Sequence, residues 1–237
     1  MTTFPHIRAV CFDLYGTVVA YGDVALGTRL GWEAIYDVIQ RLGATVPYAE
    51  YDAYWSATFP QPLTPENDVA ETPFLSKLLR LFRTYGLPAD LDAAHEAATR
   101  CLDAWDQHTI LPDDAISTLN ALRERYRVAL VSNFDHPPHT RAMLARLDLT
   151  SRFDHITISG ELRIEKPDPR IFHHALDAIG CSANETLFVG DSLRADIGGA
   201  QSVGCHPVLI DRHGRCRDFE GTRIERLGDL LPLLGLL

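Results

Sequence analysis

Asp13 follows the apolar run Val10-Cys11-Phe12 and precedes Leu14, Tyr15, Gly16 and Thr17. A carboxylate at the mouth of an apolar segment is costly to bury unless it has a partner or a reaction to serve. Groups that could serve with it recur downstream: Ser132-Asn133 after the run Val128-Ala129-Leu130-Val131, Lys166 in Glu165-Lys166-Pro167-Asp168, Gly190-Asp191-Ser192, and Asp196 five residues beyond Asp191. Carboxylates at neighbouring strand ends repel each other, and a hard divalent cation relieves that repulsion. Such a cation suits a phosphate, because it screens the charge against an anionic nucleophile. Asp can be that nucleophile and carry an aspartyl phosphate. Ser132, Lys166 and the backbone amides after Asp13 are the donors that transferring phosphoryl oxygens need. Each residue also has a plainer reading. Asp13-Leu14-Tyr15-Gly16 could be an Asx-type turn, Asp191 a helix cap, Lys166 a surface lysine, and Ser132 the partner of a buried backbone group.

The elements that must position these groups show in the hydrophobic pattern. The runs around Val10, Val128 to Val131, His155 to Ser159, Leu187 to Val189 and Pro207 to Ile210 do not alternate, which predicts strands covered on both faces. From Val128 onward, helical patterns separate the strands: residues 138–147, 168–179 with Gly180 as a stop, and 195–203. That alternation predicts an α/β fold with a parallel sheet that also takes in the first strand. Ligands in such sheets sit beyond the carboxyl ends of the strands, where Asp13, Ser132-Asn133 and Asp191 fall. Between Tyr21 and Asp106 the period is helical, with segments at 28–42, 48–59, 73–85 and 91–105, and no strand is expected. Thr72-Pro73 predicts an N-cap followed by proline at the first helical position. Asp113-Asp114 reads as a helix start, and residues 227–237 as a terminal packing helix. The expected organisation is therefore a core of residues 1–19 and 107–237 with a helical insertion over 20–106.

At 237 residues with 46% hydrophobic content, the chain is long enough for such a core and a smaller helical domain. The net charge of -10 leaves no basic footprint for nucleic acid, and there is no Lys/Arg run suited to a membrane surface. The five cysteines are odd in number and show no C-x-x-C spacing, which predicts reduced thiols and a cytoplasmic location. No apolar run is long enough to span a membrane. Cys205-His206 and the pair His136 and His139 suggest a metal or nucleophile, against the plainer readings of a buried structural thiol and helix-capping histidines. Trp32, Trp55, Phe59 and Trp105 are expected in the core of the helical insertion. The partner expected is a small molecule, and nothing in the sequence specifies an oligomeric state.

The motifs Phe12-Asp13-Leu14-Tyr15-Gly16-Thr17, Val131-Ser132-Asn133, Lys166-Pro167 and Gly190-Asp191-Ser192 with Asp196, in this order, resemble those of the haloacid dehalogenase (HAD) superfamily over essentially the whole chain. The resemblance implies a Rossmann-like, doubly wound parallel sheet with an inserted α-helical cap. It implies Asp13 as nucleophile, with Tyr15 and Lys166 as further catalytic positions. Thr17, Ser132 and Asn133 would bind substrate. Magnesium (Mg2+) would be held by Asp13, the Tyr15 backbone carbonyl and Asp191, with Asp196 in or near the shell.

The first motif departs from the phosphatase pattern. Phosphatases of this superfamily carry an Asp, the general acid and base, where this chain has Tyr15. A phenol with a pKa of about 10 is a poor base at neutral pH. The 2-haloacid dehalogenases do carry Tyr there; they displace halide and use no metal. The retained Asp191 points the other way, because the dehalogenases replace that acid. They also carry a Tyr where this chain has Phe172, and a cap Arg for the substrate carboxylate, for which Arg41 is the nearest candidate. Three functions follow as alternatives: a Mg-dependent phosphatase, a metal-free 2-haloacid dehalogenase, and a non-catalytic module that binds phosphate and magnesium.

Overall fold

The structure, a computed structural model, describes Phe4 and residues 6–236. Two compact units emerge. One runs up to Ala20 and resumes at Ile110; the other is Tyr21–Thr109.

The first unit is built on a six-stranded sheet of β1 (Ala9–Phe12), β4 (Arg127–Ser132), β5 (His155–Ile158), β6 (Thr186–Gly190), β7 (His206–Ile210) and β8 (Thr222–Ile224). Its order is β5-β4-β1-β6-β7-β8, and every pair is parallel. All four residues of β1 are buried, as its unalternating run predicts. The chain builds outward from β1 through β4 to β5, then returns to the other side for β6, β7 and β8. The carboxyl end of β1 is therefore a topological switch point, the crevice where open α/β sheets bind ligands. The helices of this unit are α5 (Ala115–Arg123), α6 (Pro137–Arg146), α7 (Ser159–Leu162), α8 (Pro169–Ile179), α9 (Gly199–Val203) and α10 (Leu230–Leu233). Asp168 caps α8 by accepting from the Arg170 N–H, and Pro169 follows at the first helical position.

Several elements differ from expectation. The edge strand β8 was not expected; three residues after Gly221 are too few to show a period. The terminal helix shrinks to a 3-10 turn and the four-residue α10, because Pro232 cannot donate the helix's hydrogen bond and Gly235 turns left-handed. Leu237 lies outside the described residues. The helix expected from Ala195 opens as a π-type segment, Leu193–Gly198, before α9. Asp114 stands before α5 but makes no side-chain cap; its carboxylate accepts from the Gly228 N–H at 2.9 Å instead.

The second unit holds α1 (Val24–Arg41), α2 (Tyr48–Thr58), α3 (Pro73–Thr84) and α4 (Leu91–Asp106). Thr72 caps α3 through the Leu75 N–H, with Pro73 first in the helix. α1 and α4 pack closely at Gly31, where a Cβ would lie 2.8 Å from the Cys101 carbonyl oxygen. Trp55 is fully buried here, whereas Trp32, Phe59 and Trp105 are only partly so. Arg41 pairs with Glu96 on this unit's surface. The two crossings between the units pair as short strands, β2 (Ala20–Tyr21) and β3 (Thr109–Ile110), too brief to read from periodicity. No helix among the described residues is long and apolar enough to cross a membrane.

Candidate active site

Asp13 is the first residue past β1. Phe12 lies between Leu130 of β4 and Val189 of β6, and the Asp13 N–H extends the ladder to the Val189 carbonyl at 2.9 Å. Asp13 is 7% exposed. The chain then closes a tight turn: the Gly16 N–H donates to the Val19 carbonyl at 2.7 Å, and the Val19 N–H to that of Leu14 at 2.8 Å. Gly16 sits at φ +89°, a conformation that disfavours any side chain. The Tyr15 ring stacks on Phe134, centroids 5.1 Å apart, and Tyr15 is 7% exposed, so it is part of a packed wall.

Lys166 reaches this turn from the segment before α8. It is 3% exposed, and its ammonium donates to Asp13 Oδ1 at 2.6 Å and to the Val131 carbonyl at 2.7 Å. Asp196 Oδ1 lies 2.7 Å from the same nitrogen. The Lys166 backbone is clamped by Asn133, whose Nδ2 donates to the Lys166 carbonyl at 2.9 Å and whose Oδ1 accepts from the Lys166 N–H at 2.8 Å. Both ends of the Asn133 amide thus hold Lys166 in place. The sequence carried no signal for this clamp or for the role of the Val131 carbonyl, since backbone groups have no residue type.

Asp191 follows β6, and the π-type turn returns Asp196 beneath it. Asp196 Oδ2 accepts from the Ser192 N–H at 2.9 Å. Oxygens of Asp13, Asp191 and Asp196 lie within 4.8 Å of one another; among the described residues this is the one group of three or more that could hold a metal ion. His136 and His139 are not in it. Gly190 makes the packing possible, because a Cβ there would sit 2.3 Å from Cβ of Asp196. Gly190→Ala is expected to push Asp196 off Lys166 and destabilise the fold by about 1–3 kcal/mol, the usual cost of overpacking. Urea unfolding beside an activity assay checks this; wild-type values in both would show that Asp196 yields freely.

The electrostatics follow from burial. Desolvation raises the Asp13 pKa most, Lys166 pulls it back, and Asp196 and Asp191 push it up, for a net rise. Asp191 is raised to about 6 by burial and by Asp196. Burial alone would lower Lys166, but Asp13 and Asp196 more than offset it, so the ammonium is held protonated. Two hydroxyls face the opposite situation: Thr17 Oγ1 and Ser132 Oγ are buried with no hydrogen-bond partner among the described residues. Such groups cost about 1–3 kcal/mol until a ligand or water satisfies them. Ser132, at the end of β4, thus has no backbone partner of the kind the plainer reading supplies. All five cysteines are free, and burial lifts the Cys205 thiol to about 12, so it is no nucleophile at neutral pH. Phe172 packs against Phe188, centroids 5.0 Å apart, in the core.

Three comparisons bear on this arrangement. The chain is 37% identical over 123 residues to N-acylneuraminate-9-phosphatase of Mus musculus, a match covering 50% of this chain and 49% of that protein, so it spans about half the relative's length. It is 28% identical over 233 residues to (S)-2-haloacid dehalogenase 4A of Burkholderia cepacia, covering 96% of this chain and 95% of that one. The fold matches the crystal structure of a HAD phosphatase from Thermococcus onnurineus with a TM-score of 0.70 and 24% identity, over 97% of this chain and 98% of that one. The relatives thus include both phosphatases and dehalogenases. A family model for haloacid dehalogenase-like hydrolases matches residues 7–204, which hold all four motifs, and the chain belongs to that family.

Proposed function

We propose that this hydrolase is a magnesium-dependent phosphatase that acts on a small phosphorylated metabolite in a reducing cytoplasm. The observation that carries the reading is the set of three carboxylates whose oxygens lie within 4.8 Å, joined to Lys166. An all-oxygen donor set with net negative charge fits Mg2+. Asp13, Asp191 and the Tyr15 carbonyl would hold it, with Asp196 beside them orienting Lys166. When bound, it would screen the charge between Asp13 and the phosphoryl group.

In the first step an Asp13 carboxylate oxygen attacks phosphorus. The bond to the leaving oxygen breaks, and that oxygen keeps the electron pair. Ser132 and Thr17, whose hydroxyls are buried and unpartnered, would donate to the phosphoryl oxygens, and the charge of Lys166 would offset theirs. Water then attacks phosphorus, the bond to Asp13 breaks, and inorganic phosphate and the carboxylate are released. Tyr15, stacked on Phe134, offers no good acid for the leaving group. Leaving groups that depart without a proton should therefore react best.

Tyr15 and the dehalogenase relative favour a second reading, in which Asp13 displaces halide from a 2-haloacid and water hydrolyses the resulting ester. One panel separates the two: an aryl phosphate, an alkyl phosphate and 2-chloropropionate, each with magnesium and with chelator. Magnesium-dependent release of phosphate, fastest from the aryl ester, is the expected result. Chloride release in chelator would decide for the dehalogenase. Absence of turnover with measurable magnesium and phosphate affinity would leave a binding module.

Magnesium should also stabilise the protein in a pH-dependent way. Asp13 and Asp191 titrate above the ordinary carboxylate range when no metal is bound. A raised carboxyl pKa favours the folded state while the group is protonated, and that contribution is lost as pH rises through the folded value. Metal ligation needs the ionised groups, so the increase in melting temperature on adding magnesium should be small near about pH 5 and large near about pH 8. An equal increase at both pH values would remove Asp13 and Asp191 as the ligands.

A further inference from the structure

We propose that Arg212 is a positioning residue: it fixes the turn that carries Tyr15 and Thr17 beside Asp13. Its bearing on catalysis rests on the reaction proposed above; its hold on the turn does not.

Arg212 lies two residues beyond β7, at the same carboxyl edge of the sheet as Asp13 and Asp191. Its Nη2 donates to the Thr17 carbonyl at 2.7 Å, bridging 195 positions of sequence. The Gly16, Thr17 and Val19 amides are already committed within the turn, to Val19 and Leu14 carbonyls. Arg212 is therefore a tie from a distant strand, placed on the residue whose hydroxyl is buried and unpartnered.

A surface strut would not look like this. The guanidinium is only partly exposed, and its Nε is buried with no hydrogen-bond partner among the described residues. Leaving an N–H of a cation unsatisfied in that way is costly. Burial disfavours the Arg212 cation most, while the charges of Asp114 and Asp191 favour it and that of Arg226 opposes it. Asp114 itself accepts from the Gly228 N–H at 2.9 Å and pairs with Arg226 Nε at 3.6 Å. A planar guanidinium suits this role better than an ammonium, because its rigid fork of donors holds a fixed direction toward the Thr17 carbonyl.

The test is amide hydrogen exchange over residues 14–19, with steady-state kinetics on the substrate the wild type turns over. Arg212→Met should speed exchange across the turn while leaving β6 and β7 protected. It should lower kcat about 10- to 100-fold, the value of a hydrogen bond from a charged donor, with KM unchanged. Arg212→Lys should restore part of both. If Arg212→Met does not fold, Arg212→Gln is read in the same exchange experiment. Wild-type exchange over 14–19, or an unchanged kcat, would overturn the proposal. If the wild type is inactive throughout the panel, the phosphatase reading fails and the exchange measurement still decides whether Arg212 holds the turn.

Discussion

Asp13→Asn is expected to lower turnover about ten-thousandfold or more, the scale seen when a covalent nucleophile is removed. The same change should leave the fold standing. Asparagine has nearly the volume of aspartate, and its amide oxygen can still accept from Lys166, which keeps Asp196 and the Val131 carbonyl as further partners. The stability comparison has a definite sign. Burial and the two neighbouring acids make the ionised Asp13 unfavourable, which is why its pKa is raised. That contribution is favourable while Asp13 is protonated and is lost as pH rises through the folded value. Asparagine does not titrate, so the metal-free variant should gain on the wild type between about pH 5 and about pH 8. Residual turnover within about tenfold of wild type would exclude Asp13 as nucleophile under either reading of the reaction.

Lys166→Met is expected to be the most damaging single change to stability, by about 3–5 kcal/mol, because it breaks a buried ion pair and leaves the partners in place. The ammonium satisfies Asp13, Asp196 and the Val131 carbonyl together at 2.6, 2.7 and 2.7 Å. Methionine fills much of the space and supplies none of the charge. Asp13 then loses the group that pulled its pKa down, so burial and the remaining acids raise it further. Protonation relieves that stress, and the deficit should be larger near about pH 8 than near about pH 5.5. Magnesium should recover part of it by giving the carboxylates another cation. Urea unfolding at the two pH values, with and without magnesium, measures all three terms. A deficit independent of both pH and magnesium would mean that Lys166 stabilises by packing alone. Turnover should fall about 100- to 1,000-fold, as for loss of a donor aimed at developing charge.

Asp196 shows how a residue's place can be legible while its task is not. The sequence puts it on the turn after Asp191, which is where it stands. Only the structure shows one oxygen held by the Ser192 N–H and the other against Lys166, so that it can orient the ammonium. The same holds for Asn133, whose amide clamps the Lys166 backbone, and for Asp114, which accepts from the Gly228 N–H rather than capping its own helix. Apart from the Ser192 contact, each of these partnerships joins segments far apart in sequence, and no local pattern encodes such a pairing.

By itself the sequence determined the α/β class, the parallel strands and the motifs that mark a HAD-like hydrolase. Those features rest on short-range physics: unbroken apolar runs for buried strands, helical periods with their caps and stops, and residue types fixed at turns. The tertiary structure decided the rest. It made β1 the strand at which the sheet reverses, and it set three acids within 4.8 Å of one another, two of them paired with one lysine. It required a glycine at position 190 so that Asp196 could pack there, and it tied the Asp13 turn to Arg212. The physical reason is that burial and charge pairing depend on which surfaces meet, and they meet only once the sheet is ordered.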